Sequence, residues 1–188
     1  MTNILITGTT AGVAEVAAAL RDRQATVLEV SDLDELPATV RDQQLDGYVQ
    51  LPVRTQPRDS SAITRVRDFL ATGLLRRFDA VEAALPALAE GGAVVLVAGH
   101  HPEQASTPDD RQARMALLRV LAMAVRADRG RELRVSVLDH TATPEQIAER
   151  VLGHGDEGPP EQINLTAQAA DRYEDWRTEI IGLAYVES

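Results

Sequence analysis

Short apolar runs alternate with longer segments of helical periodicity along the 188-residue chain. The runs NILIT (3–7), ATVLEVS (25–31), GYVQLPV (47–53), GAVVLVA (92–98), ELRVSVLD (132–139) and EQINLT (161–166) are rich in β-branched residues. Gly, Asp, Pro or His bounds them. Near-continuous hydrophobicity of this kind suits parallel strands covered on both faces. Between the runs, helices are predicted over about 12–23, 33–44, 60–90, 107–129 and 144–152. The alternation predicts an α/β fold, a Rossmann-like doubly wound parallel sheet of about six strands with helices on both faces. The length predicts one domain over 1–188, with 167–188 a C-terminal tail packing on it or on a partner.

One predicted helix stands out. In STPDDRQARMALLRVLAMAVRADRG, Thr107 reads as the N-cap and Pro108 as the first helical residue. Asp109 and Asp110 complement the helix dipole, and Gly130 stops the helix. From Met115 to Val125 it is apolar almost all round, Arg119 excepted, which predicts burial on two sides. One of those sides is the core; the other is the same monomer or a partner, so a homo-oligomer or related partner subunit is expected. The stretch GHGDEGPPEQ (153–162) reads as a surface loop.

Composition narrows the function. Acids outnumber bases 29 to 19, for a net charge of −10. A field of that sign disfavours nucleic acid and anionic membranes as partners but leaves room for one small anion held by backbone amides. There is no cysteine, so thiolate chemistry is excluded. With no charged leader and no apolar run of about 18 residues, a cytoplasmic location is expected. All 19 cationic side chains are arginine. Without lysine, neither a Schiff base nor an ammonium proton relay is available.

The opening segment ITGTTAGVA carries the candidate chemistry. An apolar strand enters a turn with Gly8 and Gly12 and leaves as a helix rich in Ala and Val. Glycines there let backbone approach a diphosphate, and the helix N-terminus offers free amides. The residues expected to bind a dinucleotide, NAD or NADP, are Gly8, Thr9, Thr10, Gly12 and Val13. Thr9 and Thr10 add hydroxyl donors. Asp32, after the second strand, either accepts from a ribose hydroxyl, favouring NAD, or caps the helix in SDLDELP.

Taken together these segments resemble the short-chain dehydrogenase/reductase family over roughly 3–166. TGTTAGVA is similar to its T-G-x-x-x-G-x-G, with Ala14 at the third glycine; LDGYVQLPV sits where the family has a strand ending in N-N-A-G. ALPALAEGGAVVLVAG and TPEQIAERVLGHGDEGPPEQINLT resemble its later strand and its closing helix and strand. The long helix and the strand in LLRVLAMAVRADRGRELRVSVLDH also follow the family's order. The resemblance implies dinucleotide-dependent carbonyl–alcohol chemistry, but the positions that would perform it are replaced. Gly99 stands at the family's catalytic serine, Thr107 and Arg111 at its Tyr-x-x-x-Lys pair, and Gly73 near its asparagine. The family's third strand has no room, since only about 15 residues separate the second strand from LDGYV. No catalytic residue of the usual kind and no metal ligand is assigned.

The expectation is therefore a catalytically inactive dinucleotide binder or interaction subunit. Two alternatives remain open. One is an oxidoreductase with a rebuilt site using the strand-end histidines His100, His101 and His140, with Asp139 and Glu103 beside them. The other is a purely structural oligomer partner.

Overall fold

Leu5 and Ile6 are wholly buried at the centre of the first strand, because β1 (Asn3–Thr7) has neighbours on both sides. In the computed structural model the described residues are 2–53, 64, 73, 75–99, 108–129 and 133–153, with backbone alone for 108–113 and 129. The chain divides into two compact units, Met1–Gly155 and Asp156–Ser188, and every described residue belongs to the first.

Strand β1 leads through α1 (Gly12–Arg21) to β2 (Thr26–Val30), and a short α2 (Leu36–Val40) leads to β3 (Leu45–Gln50). Then come α3 (Arg76–Ala84), a 3-10 turn at Leu85–Ala87, β4 (Leu88–Val97), α4 (Pro108–Arg129), β5 (Arg134–Leu138) and α5 (Pro144–Leu152). Among the described residues the sheet has five strands, all parallel, in the order β2-β1-β3-β4-β5. The expected α/β doubly wound sheet is present, and the expected strand at 161–166 lies outside the described residues. The chain passes from β2 through the five-residue α2 to β3 on the far side of β1, with no further strand between them.

Two cores sandwich the sheet. Ile4, Ile6, Val49, Ala93 and Val95 meet Val16, Ala17 and Leu20 of α1 and Ile147, Ala148 and Val151 of α5. The alternate residues Leu5, Tyr48, Val94 and Leu96 meet Leu36 and Val40 of α2, Ala80, Val81 and Ala84 of α3, and Leu118, Leu121, Ala122 and Val125 of α4. The period of two along each strand sends successive side chains to opposite faces.

Three expectations need correction. The helix expected to run to residue 90 ends at Ala84, where Leu85-Pro86-Ala87 tightens into the 3-10 turn, and β4 begins at Leu88 rather than 92. Gly91, at φ +75°, lets this early part of β4 bend, and the β3–β4 register shifts between Leu45 and Gly47. The helix expected over 33–44 is confined to 36–40, because Asp32 to Glu35 form turns instead. Along α4 the fully buried positions trace one stripe, Leu118, Leu121, Ala122 and Val125, while Leu117, Val120, Met123 and Ala124 are half-buried. The helix lies on one core, and of the two alternatives for its second side the same monomer does not cover it among the described residues, which leaves the partner alternative as expected above. Its expected cap, Thr107, lies outside the described residues.

The last helix obeys its sequence signals. Thr143 accepts from the Gln146 amide while the Gln146 side chain accepts from the Thr143 amide, Pro144 follows, and Gly153 ends the helix at φ +77°. Helix α5 then presses on β3, where a Cβ on Gly47 would lie 2.5 Å from Val151 Cγ2 and 2.8 Å from Ile4 Cδ1. Gly47→Ala is expected to destabilise the fold by roughly 1–3 kcal/mol through overpacking. Adding Val151→Ala is expected to recover part of that loss, a non-additivity that thermal denaturation of the two singles and the double checks.

Candidate functional site

The order in which strands are added reverses between β1 and β3, the position at which parallel sheets of this kind open a ligand crevice above their carboxyl ends. The glycine turn forms one wall. At Gly8, φ is +149°, and a Cβ there would lie 2.8 Å from Leu51 Cβ and 3.3 Å from the Leu51 carbonyl. Only glycine suits that position, both for its backbone angle and for its closeness to the β3 exit. The Leu51 amide donates to the Thr7 carbonyl (2.8 Å) and the Thr9 amide to the Pro52 carbonyl (3.3 Å). These bonds stitch the two loops together.

The turn differs from expectation in its details. The Thr9 amide is spent on Pro52, so it is not a free phosphate donor. Gly12 opens α1, and a Cβ there would meet only Thr10 Oγ1 at 3.7 Å, so no described protein atom demands a glycine here. The Val13 and Ala14 amides close onto the Thr10 and Ala11 carbonyls, so the donors left for a ligand are those preceding them, as at any helix start. Val13 packs on the core beneath α1, whereas Ala14 is exposed and does not make the helix–strand contact expected of a third glycine. Glu15 stands in the first turn of α1, where it opposes a bound anion. Asp32 Oδ1 accepts from the Asp34 amide at 3.0 Å and so holds a turn, while Glu35 is the N-cap residue of α2 and makes no side-chain cap.

Gly99, expected from the resemblance to stand at the family's serine position, lies against Pro52: a Cβ at Gly99 would be 3.2 Å from Pro52 Cβ. Gly73 is buried and brings no side chain. The side chain of Arg111, and His100, His101, Glu103 and His154, lie outside the described residues. His140 follows β5, its ring Nδ1 2.5 Å from Asp139 Oδ1, which also accepts from the His140 amide at 2.6 Å. No group of three potential metal ligands occurs among the described residues. No described helix is long and apolar enough to cross a membrane.

A polar cluster that the sequence reading missed lies on the α3 side of the same strand ends. Thr7, Gln50 and Arg77 are its buried polar members, and Tyr48 is wholly buried with them. Thr7 Oγ1 and the Tyr48 hydroxyl are 2.8 Å apart, and the Gln50 amide donates to the Tyr48 hydroxyl (3.1 Å) and the Arg77 carbonyl (2.8 Å). Arg77 Nε donates to Gln50 Oε1 (2.9 Å), and its Nη2 to the carbonyls of Val97 (2.8 Å) and Gln50 (3.4 Å). One guanidinium thus caps the last carbonyls of β3 and β4. Burial pushes the Tyr48 hydroxyl up to about 12, against the opposing pull of its hydrogen bonds and of Arg77. Burial also pushes Arg77 down to about 10, with Tyr48 acting in the other direction. The one signal in the sequence was polarity at two alternate positions, Thr7 and Gln50, in otherwise apolar strands.

A cavity of about 220 Å³ lies elsewhere, at the amino ends of the strands, lined by Thr2, Asp46, Glu90, Gly91, Arg134 and Val151. It is below the ~300 Å³ at which small-molecule sites usually begin, and it faces away from the crevice.

No family model and no curated protein matches the chain. Solved structures do. BdcA from E. coli is 18% identical with a TM-score of 0.52, covering 81% of this chain and 88% of that one. A carbonyl reductase from Pseudomonas aeruginosa PAO1 in complex with NADP is 14% identical, with a TM-score of 0.57 and coverages of 82% and 89%. A short-chain dehydrogenase/reductase from Serratia marcescens is 17% identical, with a TM-score of 0.56 and coverages of 81% and 88%. The chain has the fold of the short-chain dehydrogenases/reductases.

Gly8→Ala is expected to cost about 3 kcal/mol, or roughly 6–12 °C in Tm for a chain of this size, while Gly12→Ala leaves Tm within a few degrees. Tyr48 supplies a pH test. Its folded value stands above the ordinary 10, so its contribution to stability is complete below pH 10 and is lost as pH rises through about 12. In an alkaline absorbance titration, one of the three tyrosines should ionise only near pH 12, and Tyr48→Phe should remove that late phase.

Proposed function

We propose that this protein binds a nicotinamide dinucleotide, NAD or NADP, and does not carry out the hydride chemistry of the enzymes whose fold it shares. The observation carrying this reading is the Gly8 turn, bound to the β3 exit at the point where the strand order switches. The turn brings backbone close to the crevice and aims a helix N-terminus at it, which suits a diphosphate. BdcA has been solved with NADPH and the Pseudomonas carbonyl reductase with NADP, which supports this ligand class. Gly8, Thr10 and Gly12 would line the diphosphate, with Thr9 held by Pro52 beside them and Val13 turned to Thr10 and the core. With its carboxylate engaged by Asp34, Asp32 discriminates weakly between the two nucleotides.

Against catalysis stand Gly99 pressed on Pro52, Gly73 without a side chain, and the lack of any lysine. A guanidinium, with a pKa above ~12 in water, cannot take the place of an ammonium in a proton relay. The function then lies in sensing the nucleotide or in pairing with another subunit. The paired Asp139 and His140 favour a second reading, in which His140 transfers a proton to a carbonyl substrate.

Calorimetry with NADH and NADPH decides the first point. Micromolar to sub-millimolar binding is expected, weakened at least roughly tenfold in Gly12→Asp, which fits the open space at that residue but sets a carboxylate against the phosphates. Absence of binding for both nucleotides at millimolar concentration refutes it. Under the proposed reading a carbonyl panel shows no NAD(P)H oxidation above background. Turnover abolished by His140→Gln would establish the second reading instead.

A further inference from the structure

Buried charges in proteins are paired, because removing an ion from water costs several kcal/mol even after relaxation. Arg77 breaks that rule. It is 7% exposed, yet no carboxylate among the described residues pairs with its guanidinium. Its Nε and Nη2 donors are used on Gln50 and Val97, whereas neither Nη1 proton has an acceptor among the described residues.

The neighbouring hydroxyls repeat the imbalance. The Tyr48 hydroxyl already receives a hydrogen bond from Gln50, and it shares a single contact with Thr7. That contact uses one of the two hydroxyl protons and leaves the other without an acceptor among the described residues, in groups that are 0% and 1% exposed. Both side-chain amide protons of Gln50 are spent. The cluster therefore holds surplus donors and a net positive charge. It sits where Thr7, Gln50 and Val97 end β1, β3 and β4.

We infer that this cluster forms the inner wall of a site for a small oxyanion, a carboxylate or a phosphate group, reaching in at the carboxyl ends of β3 and β4. An oxyanion supplies both the missing charge and several acceptor lone pairs, and bidentate contact with a guanidinium fits either group. The inference does not require a dinucleotide: the oxyanion belongs either to a phosphate of one or to a separate carboxylate ligand. It also explains how a chain of net charge −10 can attract an anion locally.

The test is an NMR titration of the whole chain following the Arg77 Nε–H signal, with acetate, inorganic phosphate and NADPH as separate probes and sodium chloride at matched ionic strength as control. At least one probe should move the signal saturably and raise Tm, and chloride should do neither. Response to acetate alone assigns a carboxylate ligand; response to phosphate or NADPH assigns a phosphate. Arg77→Met should weaken that probe at least roughly tenfold, and Thr7→Val, which keeps the shape and removes the hydroxyl, severalfold. If Arg77→Met does not fold, the wild-type titration and Thr7→Val still decide the matter. The inference is overturned if no probe moves the signal, if chloride moves it equally, or if both variants bind the probe as the wild type does. NADPH binding seen at the Gly12 amide with Arg77 unmoved by every probe would overturn this site and leave the dinucleotide reading intact.

Discussion

The contact between Gly8 and the exit of β3 is the constraint on which the architecture rests. A doubly wound sheet sends its chain outward in two directions, and the two halves meet only where β1 and β3 pair. Hydrogen bonds from Leu51 to Thr7 and from Thr9 to Pro52 carry that pairing beyond the last ladder residues into the loops. They hold the two loops at backbone distance, and a side chain at residue 8 would wedge them apart. Everything at the carboxyl ends of the strands, including the start of α1 and the exit toward Pro52, takes its position from this joint.

On the other face of the same joint lies a polar core. Parallel strands leave their final carbonyls without ladder partners, and water normally serves them. Here Arg77 reaches from the first turn of α3 to serve two strands at once, at the cost of burying a cation. Gln50 is the pivot, since its side chain both accepts from and donates to Arg77 while its other proton holds Tyr48. This network ties α3, β1, β3 and β4 with directional bonds where the rest of the core relies on aliphatic packing, an arrangement that favours one geometry over many.

Much of the fold was legible because hydrophobic runs report burial directly. The five described strands fall at or near the predicted runs, and Thr143-Pro144 with Gly153 bounds α5 by local rules. Boundaries failed where local signals competed. Pro86 ended α3 early, and β4 took in Leu88 to Glu90, which the helical pattern had claimed, together with Gly91. The glycine turn was legible as a motif, but which glycine is obligatory was not, since that depends on Leu51, 43 residues away. The same distance hid the polar cluster. Thr7, Tyr48, Gln50 and Arg77 come together only through strand order and the placement of α3, and no spacing in the sequence announces them.

The meeting of Gly99 and Pro52 has an engineering side. A hydroxyl-bearing residue placed at 99 would press on the proline ring, so relief at 52 has to accompany it. The two positions form a single design variable: any side chain meant to line the crevice at the end of β4 is chosen together with the residue at the exit of β3.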